Sequence, residues 1–153
     1  MRLRNIPGAG EAIEKSPYVI QDPETFFGKY HTVFEENNPI YIEIGMGKGK
    51  FIIEMAKKHP EFNFIGIEMY SSVLLRALQK MDLLSQTGEA PKNVRFMCVD
   101  ARNLTKIFSK GEVEGIYLNF SDPWPKDRHA KRRLESRQFL SLRLRQVSGR
   151  FGT

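Results

Sequence analysis

The chain has 153 residues, 41% of them hydrophobic, which allows one ordinary soluble core and excludes a second full domain. No segment reaches the run of about eighteen apolar residues that a membrane span needs, and the opening MRLRNIPGAGEAIEKSP lacks a signal peptide's apolar stretch, so a cytoplasmic protein without membrane contact is expected. The net charge of +6 is local: Lys126 to Arg150 holds nine Lys or Arg against Asp127 and Glu135, which leaves the rest of the chain near neutral.

Residues 1–38 are polar, interrupted by Pro7, Pro17 and Pro23, and show no sustained period; they read as an arm with one short helix near Pro23 to Tyr30. From 39 to 147 apolar strands alternate with helices. IYIEIG (40–45) enters a glycine loop, and Phe51, Ile52, Met55 and Ala56 then recur at helical spacing before Pro60. FNFIGIE (62–68) is a second strand ending in an acid. Ser71 or Ser72 is expected to cap a helix with Val73, Leu74, Ala77, Leu78, Met81 and Leu84 on one face, stopping near Gly88. VRFMCVD (94–100) and GIYLNFS (115–121) are further strands. LESRQFLSLRLRQV (134–147) is expected to be helical, with Leu140, Leu144 and Val147 on one stripe, and 148–153 is a tail.

Continuously apolar strands that alternate with helices predict an α/β fold, a mostly parallel sheet covered on both faces. Ligands of such sheets bind beyond the carboxyl ends of the strands. Glu43, Glu68, Asp100 and Asp122 all fall at that end. Cys98, the one cysteine, stands among strand formers and reads as a structural thiol; His31 and His59 lack the companions a metal site requires, so no metal is expected.

The loop Glu43-Ile-Gly45-Met-Gly47-Lys-Gly49-Lys50 fails both phosphate-binding patterns: Lys50 stands where a dinucleotide fingerprint has its last glycine, and Phe51 replaces the Ser or Thr of a P-loop. Alternate glycines suit a turn whose backbone approaches a ligand. The preceding carboxylate favours a cationic ligand over a pyrophosphate. S-adenosyl-L-methionine carries an ammonium, a sulfonium and a ribose diol without any phosphate. Glu43 suits its cationic end, Glu68 its ribose hydroxyls, and Asp100, with the Ala101 backbone alongside, its adenine amino group. Each acid alone is also an ordinary cap for a following helix.

Asn119-Phe-Ser-Asp122-Pro-Trp-Pro-Lys126 turns through two prolines that narrow the freedom of Asp122, and Arg128, His129, Lys131, Arg132 and Arg133 follow. Together with Glu43-Ile-Gly45-x-Gly47-x-Gly49, Glu68 and Asp100-Ala101, this stretch resembles the bacterial tRNA (guanine-N7)-methyltransferases from the arm to about Leu142. The resemblance implies a class I, Rossmann-like methyltransferase fold and methyl transfer to N7 of a guanosine in the tRNA variable loop. It implies that Glu43, Glu68, Asp100 and Asp122 form the donor site, with Asp122 also catalytic and Lys126 touching the substrate. Guanine N7 has a lone pair in the ring plane, so no base is needed; the work is positioning, for which effective molarity supplies ~7–11 kcal/mol. Asp122 and Asn119 face guanine edges on this reading, and Trp124 or Phe120 stacks on the base, the alternative for Trp124 being that it anchors the turn. Lys126, Arg128, Lys131, Arg132 and Arg133 hold phosphates.

The resemblance fades in RLRQVSGRFGT, where the turn into a fifth apolar strand is missing. A C-terminally truncated chain is therefore expected, with the sheet ending in an exposed edge at 115–121 that a partner chain, such as a second copy, would cover. Two other readings remain open: a methyltransferase acting on an exocyclic amino group, and an RNA-binding remnant without catalysis.

Overall fold

In the computed structural model, which describes residues 8–119 and 137–140, the apolar runs form one sheet. Its strands are β1 (Ile40–Ile44), β2 (Asn63–Ile67), β3 (Val94–Met97), β4 (Gly115–Asn119) and β5 (Arg137–Leu140), in the spatial order β3-β2-β1-β4-β5. β1 pairs parallel with β2 and with β4, and β2 pairs parallel with β3. The chain therefore steps outward from β1 to β3 and then crosses back to β4, which places a reversal of strand order between β1 and β4. In open α/β sheets that reversal opens a crevice at the carboxyl ends.

Helix α2 (Lys50–Lys58) starts at Gly49, whose carbonyl accepts from Ile53 N at 3.0 Å, and ends with Lys57 and Lys58 against the carbonyl pole of its dipole. It buries Ile52, Ile53 and Ala56, while Phe51 turns to meet Tyr117 of β4 edge-on at 5.1 Å. Helix α3 (Ser71–Gln86) buries Leu74, Ala77, Leu78 and Met81 of the predicted face. Its N-cap is Tyr70; Ser71 and Ser72 lie within the first turn, and no side chain caps the end. The expected serine cap is thus not formed; Glu68 instead accepts from the N–H of Tyr70 itself, at 3.2 Å, just before the helix. At the other end Gly88, at φ 75°, closes the helix, with Glu89 N donating to Leu84 O at 2.8 Å and Gly88 N to Ser85 O at 3.1 Å. The predicted stop near Gly88 is the observed one.

Residues expected as an arm contain helix α1 (Ala9–Lys15) and 3-10 turns at Pro23–Phe26 and Tyr30–Thr32. They also run along the free edge of β3: Phe96 N donates to Tyr18 O and Ile20 N to Phe96 O, both at 2.8 Å. Extended backbone sends neighbouring side chains to opposite faces. Val19 accordingly joins the core under α2 and α3, and Ile20 the core on the other face, with Tyr30, Phe34, Leu104 and Phe108. The buried Tyr30 ring sits 4.6 Å from that of Phe108, which follows the short helix α4 (Leu104–Ile107). Glu112 ties the same segment down by accepting from Gly28 N, Tyr30 N and Ser109 N at 2.8–3.1 Å.

The sequence reading is corrected at the opposite edge. Residues 137–140, expected within a helix, are a strand antiparallel to β4, with Asn119 opposite Arg137 and Ile116 opposite Leu140. The edge of β4 expected to stand bare is therefore paired. Backbone donors along a sheet edge demand partners, and satisfying them outweighs the modest helical preference of a Leu-rich stretch.

Candidate active site at the strand tips

The loop after β1 is built by hydrogen bonds to its neighbour. Gly45 N and Met46 N both donate to Ile67 O, at 2.9 and 3.0 Å, so the chain stays attached to β2 beyond the last residue of β1. It then turns sharply, with Gly49 N on Met46 O at 3.1 Å. Gly45, Gly47 and Gly49 have φ of 74°, 62° and 82°, the left-handed region that a Cβ disfavours by ~1–2 kcal/mol per residue. Met46, fully buried, tucks beneath the loop against Gly66, where any Cβ would run into its Sδ. A glycine inside an apolar strand is the sequence signal of such close approach, and it went unread. Among the described residues a Cβ at Gly47 would meet nothing within 4 Å, so none of them covers the outer face of the loop there.

Glu68, directly after β2 and 8% exposed, joins the two tips. Its Oε1 accepts from Gly47 N at 2.9 Å and its Oε2 from Tyr70 N. Hydrogen bonds to a charged acceptor are worth ~1.5–3 kcal/mol each, enough to hold the loop and the start of α3 in one relation. Glu43, 0% exposed, lies one residue before the end of β1, between Gly66 of β2 and Tyr117 of β4. Its strand borders the reversal of strand order, and Gly45, Gly47 and Glu68 belong to the loop and neighbouring strand tip that follow it.

Asp100 is placed differently. β3 ends at Met97, so Cys98 and Val99 separate Asp100 from the strand. Its carboxylate accepts from Arg102 N at 2.9 Å and from the exposed Arg102 guanidinium, down to 2.7 Å. The guanidinium hydrogen bond, followed by the backbone one, holds its carboxyl down to about 2. Ala101 opens the following 3-10 turn and packs against the core that contains Tyr30. Cys98 is half-buried; burial and, second, the Glu68 carboxylate push its thiol up, and its Sγ contacts Met69 O at 3.6 Å. Such a thiol is a poor nucleophile at neutral pH.

Asn119 ends β4, whose Leu118 pairs with Ile44, so its backbone follows at the level of Gly45. Asp122, Lys126, Arg128, Lys131, Arg132 and Arg133 lie outside the described residues, as do Phe120 and Trp124. Among the described residues no group of three His, Cys, Asp or Glu is arranged for a metal, and no helix is long and apolar enough to cross a membrane. A cleft of about 410 Å³ opens at the other end of the sheet, lined by Asn38, Asn63, Asn93 and Glu89 among others. It holds none of the predicted site residues, so concavity alone does not locate the chemistry.

A family model described as "Putative methyltransferase" matches residues 37–149. The tRNA (guanine-N(7)-)-methyltransferase of Lachnoclostridium phytofermentans is 57% identical over 141 residues, covering 92% of this chain and 64% of that protein. That of Geobacillus thermodenitrificans is 57% identical over 143 residues, 93% of this chain and 64% of the relative. The Bacillus velezensis protein of the same name is 44% identical over 153 residues, 99% of this chain and 68% of the relative. The chain thus spans about two thirds, or slightly less, of the length of these relatives. Among solved structures, an antibiotic-related methyltransferase superposes with a TM-score of 0.53 at 20% identity, covering 73% of this chain and 53% of that one, which bears on the fold alone. The chain belongs to the family of the bacterial tRNA (guanine-N(7)-)-methyltransferases.

Proposed function

We propose that this chain binds S-adenosyl-L-methionine at the tips of β1, β2 and β3 and directs methyl transfer to N7 of a guanosine in tRNA. The reading is carried by one observation above all: the glycine loop and the acid at the neighbouring strand's tip are hydrogen-bonded into a single unit beside the reversal of strand order. The residues present fit the donor. Among the described residues nothing stands over Gly47, a buried carboxylate precedes the loop, and Gly49-Lys50 is followed by Phe51 instead of the Ser or Thr of a P-loop.

When bound, S-adenosyl-L-methionine supplies a methyl group on a sulfonium. Glu43 would supply negative charge for its cationic end. Gly45 and Gly47 let the backbone come close. A carboxylate has about four lone-pair sites, so Glu68 can hold the loop through backbone donors and still take part in binding the ribose hydroxyls. Asp100 receives the adenine amino group once the exposed Arg102 side chain swings aside, a small expense because exposed ion pairs are weak. Ala101 lies alongside through its backbone. On the substrate side, Asp122 and Asn119 orient the guanine and Asp122 offsets the positive charge that develops on the ring. Lys126, Arg128, Lys131, Arg132 and Arg133 hold phosphates on either side. The relatives' shared name supports this substrate, as does the resemblance carried by Asn119 to Arg133.

Unmodified tRNA incubated with the chain and labelled donor, then digested to nucleosides for mass spectrometry, tests the proposal. N7-methylguanosine formed by the native chain and lost in Asp122→Ala is expected. An N-methylated exocyclic amine would favour amino-group chemistry instead. Donor binding by calorimetry without any transfer would leave the non-catalytic RNA-binding reading.

A further inference from the structure

Gly49 is pressed against α3: a Cβ there would stand 2.8 Å from the Ala77 Cβ and 3.6 Å from the Ala77 Cα. This contact fixes which surface residues share a neighbourhood. Lys48 and Lys50 flank Gly49 and are exposed; Lys80 lies three residues beyond Ala77, on the same side of the helix, and is half-buried. Among the described residues no carboxylate lies within 4.0 Å of any of the three. The nearby acid Glu54 is turned to Lys57 at 3.9 Å. Burial and then the charges of Lys48 and Lys50 push the Lys80 pKa down. Arg76, one turn before Lys80 on α3, extends the row of cations.

Three ammonium groups gathered without acids are destabilising in isolation, since like charges at short range repel and partial burial removes solvent compensation. A polyanion lying across them relieves both costs. We infer that Lys48, Lys50 and Lys80, brought together by the Gly49–Ala77 contact, form a second phosphate-backbone contact for the RNA, on the α2–α3 flank of the donor loop. This rests on the reading that the substrate is a tRNA, and it adds a contact distinct from the Lys126–Arg133 block. Phosphate contacts there set the approach of the RNA without reading its sequence.

The test is binding of unmodified tRNA to the full chain across about 50–200 mM salt. The double variant Lys50→Gln/Lys80→Gln is expected to weaken binding and to flatten the slope of log affinity against log salt by about two. Lys50→Arg/Lys80→Arg should retain the native slope. Thermal melting should be unchanged in the Arg pair and slightly raised in the Gln pair, where repulsion among the lysines is relieved, and calorimetric affinity for S-adenosyl-L-methionine should be unchanged in both. A native slope in the Gln pair, while Arg132→Gln/Arg133→Gln flattens it, overturns this inference and leaves the tRNA reading standing. Loss of donor affinity in the Gln pair also overturns it, by assigning the lysines to the donor. If the unaltered chain shows no salt-dependent binding, both fall together.

Discussion

The tips of β2 and β3 each carry an acid at the place where the fold puts ligands, yet the two carboxylates are held in opposite ways. Glu68 is almost fully buried and accepts backbone N–H groups from two different segments, so its position is set by the sheet and by α3 together. Asp100 lies three residues beyond its strand and pairs with Arg102, whose side chain is 81% exposed. The difference teaches that a strand-end acid can be part of the scaffold of a pocket or a surface group that reaches in. Burial and backbone partners mark the first, and an exposed side-chain partner marks the second.

Replacing Glu68 by Gln should have the largest effect. A Gln offers one acceptor oxygen, so Gly47 N or Tyr70 N loses its partner, at ~1–3 kcal/mol of stability. Affinity for S-adenosyl-L-methionine should fall roughly ten- to hundredfold, as expected for lost hydrogen bonds to a charged group. Calorimetry with and without the substitution measures this, and native affinity in Glu68→Gln would break the contrast. An intermediate effect is expected at Cys98, which follows β3 and feels Glu68. Its alkylation rate should rise only at pH above the ordinary thiol range, and Glu68→Gln should shift that profile part of the way down, burial being the larger cause. An unmoved profile would show that Glu68 does not face the thiol.

The smallest effect is expected at Arg102→Ala. Its loss should leave the melting temperature nearly unchanged and the donor affinity unchanged or higher. It should also let the Asp100 carboxyl rise from about 2 toward the usual carboxylate range, as followed by NMR titration. The sign follows from the depressed folded value: the Arg102 pairing acts in full above the usual carboxylate range and is lost as pH falls toward about 2. A fall in donor affinity in Arg102→Ala would place Asp100 among the fixed groups beside Glu68.

The central strands and helices were legible because their signals are local. IYIEI and NFIGI are continuously apolar, as strands buried on both faces must be, and Leu74, Ala77, Leu78 and Met81 recur with the helical period. The segment before β1 was not. Val19, Ile20, Tyr30 and Phe34 are buried without any period, because edge pairing with β3 and the Glu112 clamp bring them in. The strand β5 was misread for a related reason: the spacing of Leu140, Leu144 and Val147 is helical, but residues 137–140 answer to the open edge of β4.

Within the candidate site, the alternating glycines and the acids at 43, 68 and 100 were visible as residue types at strand ends. Their ranking was not, because it depends on which groups surround each carboxylate. The sequence by itself determined the alternation of elements, the acidic tips and the concentration of positive charge, since each follows from neighbours along the chain. Tertiary structure alone decided that Glu68 ties the loop to α3, that Asp100 answers to Arg102, and that Gly49 presses on Ala77 and gathers three lysines. Those outcomes depend on distances between segments far apart in sequence, which only the packing of helices on the sheet sets.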